Sequence, residues 1–352
     1  MSAEFTRLLL EWNHSVNTRQ MPWKGEKDPY RIWLSEIILQ QTRVEQGLAY
    51  YERFLERFPT ITDLALAPDE QVFKTWEGLG YYSRCRNLLT TARTIAFEKA
   101  GVFPNEYEEI LKLKGVGPYT AAAIASFAFG QAYAVLDGNV FRVLSRYFGC
   151  TTPVDSPEGK KLFGMLANAL LPREQSGTYN QAIMDFGAVV CKPQQPACET
   201  CVMRTDCQAF LLSAVNRIPV KSKSIQRRSR YFYYFILSWK GRYYIRQRKG
   251  SDIWQNLHEW VLLERTEALE TDASGFRTAL STLLGTLQGE IRQISAIQKQ
   301  QLTHQSISGR FIRVELQQPL PENSGYTLAS PQELNRIAFP RYITRYLETH
   351  PL

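Results

Sequence analysis

No stretch of this 352-residue chain stays apolar for anything near the roughly 20 residues that cross a bilayer. Met1 to Arg19 lacks the basic flank, apolar run and small-residue cleavage site of a secretory signal. Internal repeats and low-complexity tracts are missing too, which excludes repeat architectures. These absences lead to the expectation of a cytoplasmic chain, nucleoid-associated if bacterial, with no membrane partner. Acidic residues are absent from 213–230, where six basic ones fall. What remains is enough chain for two domains, at roughly 150 residues each.

The net charge of +8 invites a nucleic-acid partner, but its distribution is uneven. Residues 1–212 carry 22 Lys and Arg against 23 Asp and Glu, and residues 231–352 carry 14 against 11. The excess therefore sits mainly in the 213–230 segment, which suits phosphate contact and a solvated connector equally well.

From Phe5 to Phe210 the apolar residues recur every three to four positions, as in Ile32 to Val44, Ile110 to Leu113 and Ala121 to Phe129. An all-α domain is expected there. The pattern changes after Ser213. Ile218 to Arg230, with Pro219 and alternating Lys and Ser, reads as a linker. Tyr231 to Trp239 and Arg242 to Arg248 are rich in aromatic and β-branched residues about Lys240-Gly241, which predicts a β-hairpin. A further strand at Phe311 to Leu316 and short helices at Pro331 to Ile337 and Ile343 to Leu347 give an α+β second domain.

Four of the six cysteines, Cys191, Cys198, Cys201 and Cys207, crowd one segment with the spacing C-x6-C-x2-C-x5-C. In a reducing compartment this points to metal rather than disulfides. The spacing by itself leaves zinc and iron–sulfur open. Cys85 and Cys150 stand apart and read as small buried hydrophobes.

Upstream, Gly115, Val116 and Gly117 lie between two helical patterns. The glycines permit a tight turn whose amides, with those opening the next helix, can face a phosphate; they also suit a plain helical turn. Asp137, in Leu136-Asp137-Gly138-Asn139, is on local grounds an N-cap or turn residue. Glu36 sits in Trp33-Leu34-Ser35-Glu36-Ile37-Ile38-Leu39-Gln40-Gln41-Thr42. Its apolar neighbours place it either in a setting that raises its pKa, as a general acid requires, or on the solvent side of a buried helix.

Together these motifs resemble the helix-hairpin-helix glycosylases of the endonuclease III superfamily, and most closely MutY-type adenine DNA glycosylases. The resemblance implies that the four cysteines hold a [4Fe-4S] cluster, with Lys192 and Arg204 as candidate phosphate contacts. It implies Glu36 as the acid that protonates adenine and Asp137 as the carboxylate at the sugar, with Tyr119 and Asn139 positioning them. Gln40, Gln41, Thr42, Gly115, Val116, Gly117 and Gln181 would meet DNA or the flipped base. Tyr81, in Gly78-Leu79-Gly80-Tyr81-Tyr82, would wedge into the base stack, while Tyr82 packs in the core. Bifunctional relatives carry a Schiff-base lysine where Tyr119 stands, so a monofunctional enzyme is implied.

Tyr231 to Leu263 resembles the Nudix-like domain that recognises 8-oxoguanine in these enzymes. Leu302, Thr303 and His304 occupy the place of its recognition loop, although His304 also suits a turn cap or a core position. Residues 264–290 lack the Arg-Glu-x2-Glu-Glu cluster of a true Nudix hydrolase, so nucleotide hydrolysis is not expected. The expected division is a helical glycosylase domain at 1–212 with its iron–sulfur loop at 191–207, a basic linker at 213–230 and a Nudix-like domain at 231–352. The implied partner is double-stranded DNA holding adenine opposite 8-oxoguanine or guanine, bound by a monomer.

Overall fold

The computed structural model describes residues 2–222, 226–269, 272–285 and 287–352; residues 223–225 of the expected linker and Glu270 lie outside the described residues. Two compact units form, one from Met1–Leu66 with Asn87–Lys223 and the other from Ala67–Arg86 with Ser224–Leu352. The segment 67–86 thus groups with the carboxy-terminal residues, whereas the sequence suggested two contiguous domains. Local bonds account for this. Lys74 Nζ donates to the Ile337 carbonyl at 3.0 Å, the Phe339 amide to Glu77 Oε1 at 2.8 Å and Arg86 Nη1 to the Gln255 carbonyl at 3.1 Å.

The described elements of the first unit are helical. Asp28 caps the helix Pro29–Leu39 by accepting from the Tyr30 amide, and Pro29 supplies the preset φ of a first-turn residue. The apolar spacing suggested continuity from Ile32 to Val44. The helix instead ends at Leu39, Gln41 turns left-handed at φ 60°, and a new helix runs Val44–Arg57. Apolar periodicity does not register a backbone turn of so few residues.

The helix Pro118–Phe129 is buried along Thr120–Ser126, as a helix apolar on every side must be. Its alanines leave room for the helices Pro29–Leu39, Tyr107–Leu111 and Ser176–Val189 to pack on it. Phe5 and Trp12 of the helix Ser2–Ser15 close the core, with ring centroids 4.8 Å from Tyr147 and 4.9 Å from Phe186.

The second unit is built on one sheet: β1 Arg228–Trp239, β2 Arg242–Gln247, β3 His258–Glu259, β4 Val261–Arg265, β5 Gly289–Ile294, β6 Gln298–Gln301, β7 Gln305–Leu316 and β8 Thr327–Ala329. Its main path runs β3-β2-β1-β7-β5, with β4 on β1, β6 on β7 and β8 on β2. The central pair, β1 and β7, is parallel from Arg228 opposite Gln305 to Ser238 opposite Glu315. The expected hairpin forms, with Lys240 and Gly241 at φ 49° and 72°, both left-handed as the tight turn between twisted strands requires.

Phe276 and Leu280 of the helix Ala273–Leu284 pack into the sheet face that carries Tyr233, Phe235 and Leu237. On the other face Tyr342 and Tyr346 of the helix Arg341–Thr349 meet Tyr234 and Phe311, the Phe311 and Tyr346 rings stacking at 4.0 Å. Cover on both faces explains why Phe232 to Leu237 is buried without alternation. Of the short helices expected near the end, the first spans Pro331–Leu334 and the second Arg341–Thr349.

A Cβ at Gly309 would lie 1.7 Å from the Phe232 carbonyl oxygen in that central pair, and backbone cannot retreat as a side chain can. Gly309→Ala should therefore cost about 3 kcal/mol, at the upper end of overpacking penalties. Urea unfolding followed by circular dichroism measures this, and an unchanged midpoint would refute the close approach.

Candidate active site

The helix Pro29–Leu39 turns Glu36 inward, leaving the residue 7 % exposed, which removes the solvent-facing alternative. Glu36 lines a cavity of about 230 Å³ with Trp23, Lys24, Ser35, Phe127 and Gln181. Burial pushes its carboxyl up to about 7; the Tyr119 hydroxyl pulls the other way, and the charge of Asp137 adds to the rise. Tyr119 itself is held far above its usual range by burial and by the two carboxyls, so its phenol keeps the proton it donates. The same hydroxyl stands 3.4 Å from Met184 Sδ.

Asp137 is an N-cap in fact: it opens the helix Gly138–Phe148, and its Oδ1 accepts from the Val140 amide at 2.7 Å. The cap leaves Oδ2 to accept from Asn139 Nδ2, also at 2.7 Å. Burial raises its pKa, while these bonds and the Arg142 charge restrain the rise. Capping and a role at a reacting centre are thus compatible.

Asn139 Oδ1 in turn accepts from Arg142 Nη2 at 2.7 Å. Arg142 is buried and also donates to the Cys191 and Gly187 carbonyls, both at 2.7 Å. One turn later the buried Arg146 reaches the Lys192 carbonyl at 2.7 Å and Cys191 Sγ at 3.4 Å. One helix therefore carries the carboxylate at its start and two arginines that hold the cysteine loop.

Cys191, Cys198, Cys201 and Cys207 share one small cavity whose wall contains neither carboxylate nor imidazole. All four are free thiols, and burial pushes Cys201 up to about 11. Such a donor set fits a soft, thiolate-bound metal group, whose binding must release the thiol protons. Among the described residues no three His, Cys, Asp or Glu side chains stand together as ligands of a single ion. Arg204 pairs with Glu199 at 3.2 Å and covers the Phe210 ring, whereas Lys192 is exposed.

The turn between the helices Tyr107–Leu111 and Pro118–Phe129 has Gly115 at φ 81°, with Asn87 Cβ 2.6 Å from where a side chain would begin. Val116 is buried and Gly117 opens the second helix towards free space. Gln40 Nε2 donates to Thr120 Oγ1 at 3.3 Å, Gln41 is exposed and Thr42 half-buried.

In the second unit Tyr81, 45 % exposed and left-handed at φ 48°, meets Thr303 hydroxyl to hydroxyl at 2.5 Å. Leu302, Thr303 and His304 form the turn between β6 and β7, closed by the Leu302 amide on the Gln305 carbonyl at 2.8 Å. His304 is exposed, so it is not a core residue. A cleft of about 810 Å³ joins this turn to Gly80, Tyr81, Arg86 and Arg341. Tyr82 is buried, as expected.

Asp185 escaped the sequence reading. It is 0 % exposed and holds Arg19 Nη1 at 2.8 Å, Lys24 Nζ at 3.1 Å, Asn17 Nδ2 at 3.0 Å and Gln181 Nε2 at 3.0 Å. An acceptor-only carboxylate takes the amide nitrogen of Gln181. Its place one turn after Gln181 was the available signal.

Residues 34–163 match the family described as HhH-GPD superfamily base excision DNA repair protein, and residues 233–349 match a NUDIX domain. A relative from Buchnera aphidicola subsp. Baizongia pistaciae, an adenine DNA glycosylase, is 36 % identical over 255 residues, 72 % of each chain. The chain belongs to the adenine DNA glycosylase family. The Homo sapiens member is 41 % identical over 215 residues, which are 58 % of this chain and 39 % of that one. A solved thermostable thymine-DNA glycosylase superposes with a TM-score of 0.56 at 31 % identity, covering 60 % of this chain and 97 % of its own. Residues 67–86 aside, the two matched stretches fall in the helical unit and the sheet unit described above.

The raised Glu36 pKa has a consequence for stability. Below about 4.5 both folded and unfolded states hold this proton, and between about 4.5 and 7 only the folded state does. Stability therefore falls with rising pH across that window, by at most about 1.4 kcal/mol per pH unit. Glu36→Gln removes the term, so its melting temperature should exceed that of the wild type by more at pH 8 than at pH 5. Equal differences at the two pH values would show that Glu36 titrates normally.

Proposed function

We propose that this enzyme excises adenine paired with 8-oxoguanine or guanine in double-stranded DNA by hydrolysing the N-glycosidic bond, without a Schiff-base lyase step. The observation that carries the reading is the buried Glu36 carboxyl at the wall of a cavity, where it keeps a proton near neutral pH through burial and the nearby charge of Asp137, with the Tyr119 hydroxyl bonded to it. Two carboxyls with different surroundings divide the work of acid and charge stabiliser.

Extruding the base costs about a few kcal/mol of stacking and pairing. Glu36 then gives its proton to adenine N7, so the base departs neutral as the bond to C1′ breaks. Asp137, whose two oxygens are aimed by the Val140 amide and Asn139, stabilises the positive charge left on the sugar. Water adds at C1′ and its proton returns to the carboxylates. Tyr119 supports the chemistry as a donor to Glu36, and a phenol offers no amine for a Schiff base.

The four cysteines would hold a [4Fe-4S] cluster, supported by their gathering around one small cavity that offers thiols but no carboxylate or imidazole as donors, and by the family resemblance of their spacing. Its chemistry when bound is to tie the 191–207 loop through four thiolates. Arg142 and Arg146 pass that order to the helix that starts at Asp137. The hairpin amides at Gly115 to Gly117 would take a backbone phosphate. Tyr81 would enter the base stack, with Thr303 and His304 reading the base opposite adenine.

Duplexes carrying adenine opposite 8-oxoguanine, guanine, thymine or cytosine, followed by alkaline scission, test the substrate reading; excision confined to thymine or cytosine opposites would overturn it. Single-turnover excision should fall about tenfold per pH unit above about 7, where Glu36 loses its proton, and Glu36→Gln should lose about 10²- to 10⁴-fold. A flat profile from pH 6 to 9 would remove Glu36 as the acid. His304→Ala should keep its melting temperature and shrink the 8-oxoguanine over guanine preference by about 5- to 150-fold, the worth of a base-edge contact. An unchanged ratio would place that recognition elsewhere.

A further inference from the structure

Tyr81 holds a backbone conformation that a bulky residue seldom adopts, yet its ring is presented to solvent. Gly78 at φ 99° and Gly80 at φ 73° turn the chain on its amino-terminal side. On the other side stands Arg84. Its backbone amide donates to the Tyr81 carbonyl at 2.8 Å, and its guanidinium lies 5.5 Å from the Tyr81 ring centroid and 5.1 Å from that of Trp76. Arg84 Nη2 donates to the Gly80 carbonyl at 3.4 Å, and Trp76 Nε1 to the same oxygen at 3.0 Å.

Trp76 is 0 % exposed, so this clamp is anchored in the core at one end and bears the exposed tyrosine at the other. Burial lowers the Arg84 pKa to about 10, which still leaves it charged at neutral pH. A planar cation between two rings is the arrangement in which guanidinium differs from ammonium: it stacks on aromatic faces while its edge remains free to donate.

We propose that Arg84 is a positioning residue that presets the Tyr81 ring for insertion into the DNA stack, acting through the ring rather than by touching DNA. The proposal rests on the wedge assigned to Tyr81 above. Presetting matters because a ring that must first be ordered loses that entropy on binding. Thr303 holds the hydroxyl and Arg84 the face, so the ring meets the duplex already oriented.

The test is a double-mutant cycle of Arg84→Met and Tyr81→Ala, read as the dissociation constant and single-turnover rate on a duplex with adenine opposite 8-oxoguanine. In the wild-type background Arg84→Met should weaken binding about 5- to 20-fold, the range of a partly desolvated cation–π contact. In the Tyr81→Ala background the same change should cost less than about twofold, because contacting residues are non-additive. The slope of log affinity against log salt should not change, whereas loss of a phosphate contact lowers it by about one.

An equal loss in both backgrounds would make Arg84 merely structural, and a reduced salt slope would make it a phosphate ligand; either overturns the proposal. If Arg84→Met lowers the melting temperature, Arg84→Lys carries the cycle, and an additive loss there is equally decisive. A Tyr81→Ala enzyme with unaltered binding and rate would sink the wedge itself. A defective Tyr81→Ala beside an intact Arg84→Met would sink the clamp alone.

Discussion

A buried carboxyl group is the constraint around which the helical unit is arranged. Glu36 retains its proton near neutral pH because the helix Pro29–Leu39 packs against the alanine-rich helix Pro118–Phe129 and the carboxyl is buried. The same packing delivers Tyr119 from the second helix to the carboxyl. Gly177 lies where a Cβ would stand 2.9 Å from the Ser126 carbonyl, so the helix bearing Gln181 and Asp185 closes on the same central element. Larger residues along that element would open the cavity and let the proton leave at lower pH.

The helix Gly138–Phe148 adds the second carboxylate and links it to the cysteine loop. Its first residue side is the Asp137 cap, and its next two turns bear Arg142 and Arg146, both buried. Buried guanidinium groups are tolerable only when hydrogen-bonded, and here most partners are backbone carbonyls of the loop and the following segment. Asp137 is thus aimed by Asn139, Asn139 by Arg142, and Arg142 by the backbone at Cys191. A continuous chain of hydrogen bonds runs from the cysteine loop to the carboxylate.

In the sheet unit the parallel pair of β1 and β7 holds the β6–β7 turn in place, and the segment 67–86 brings Tyr81 to that turn. The Tyr81 to Thr303 contact joins residues 222 positions apart. Away from it, Arg230 is held by Asp252 and Glu264 and Arg248 by Glu259, a charge network internal to the sheet unit. The helix Ala273–Leu284 carries no carboxylate along its length and is capped by Asp272.

Much of the site was legible because it rests on local chemistry. Six-two-five cysteine spacing, a glycine-bounded turn and an Asp before Gly-Asn are short-range features, each open to two readings alone and given one by their order in a familiar set. The helical unit, the hairpin at Lys240-Gly241 and the change of period after Ser213 were legible for the same reason. Strands such as Gln298–Gln301 were not, because a polar edge strand takes its conformation from its neighbour on β7 and not from its own side chains. Nor could the sequence show that Gln40 and Gln41 interrupt a helix, that Asp185 gathers four donors, or that residues 67–86 leave the helical unit. The sequence by itself determined which reactive groups exist and on which kinds of element they ride. Only the tertiary structure decided that Glu36 is buried, that Asp137 keeps one oxygen beyond its cap and that Tyr81 meets Thr303, since burial and long-range pairing depend on which faces meet.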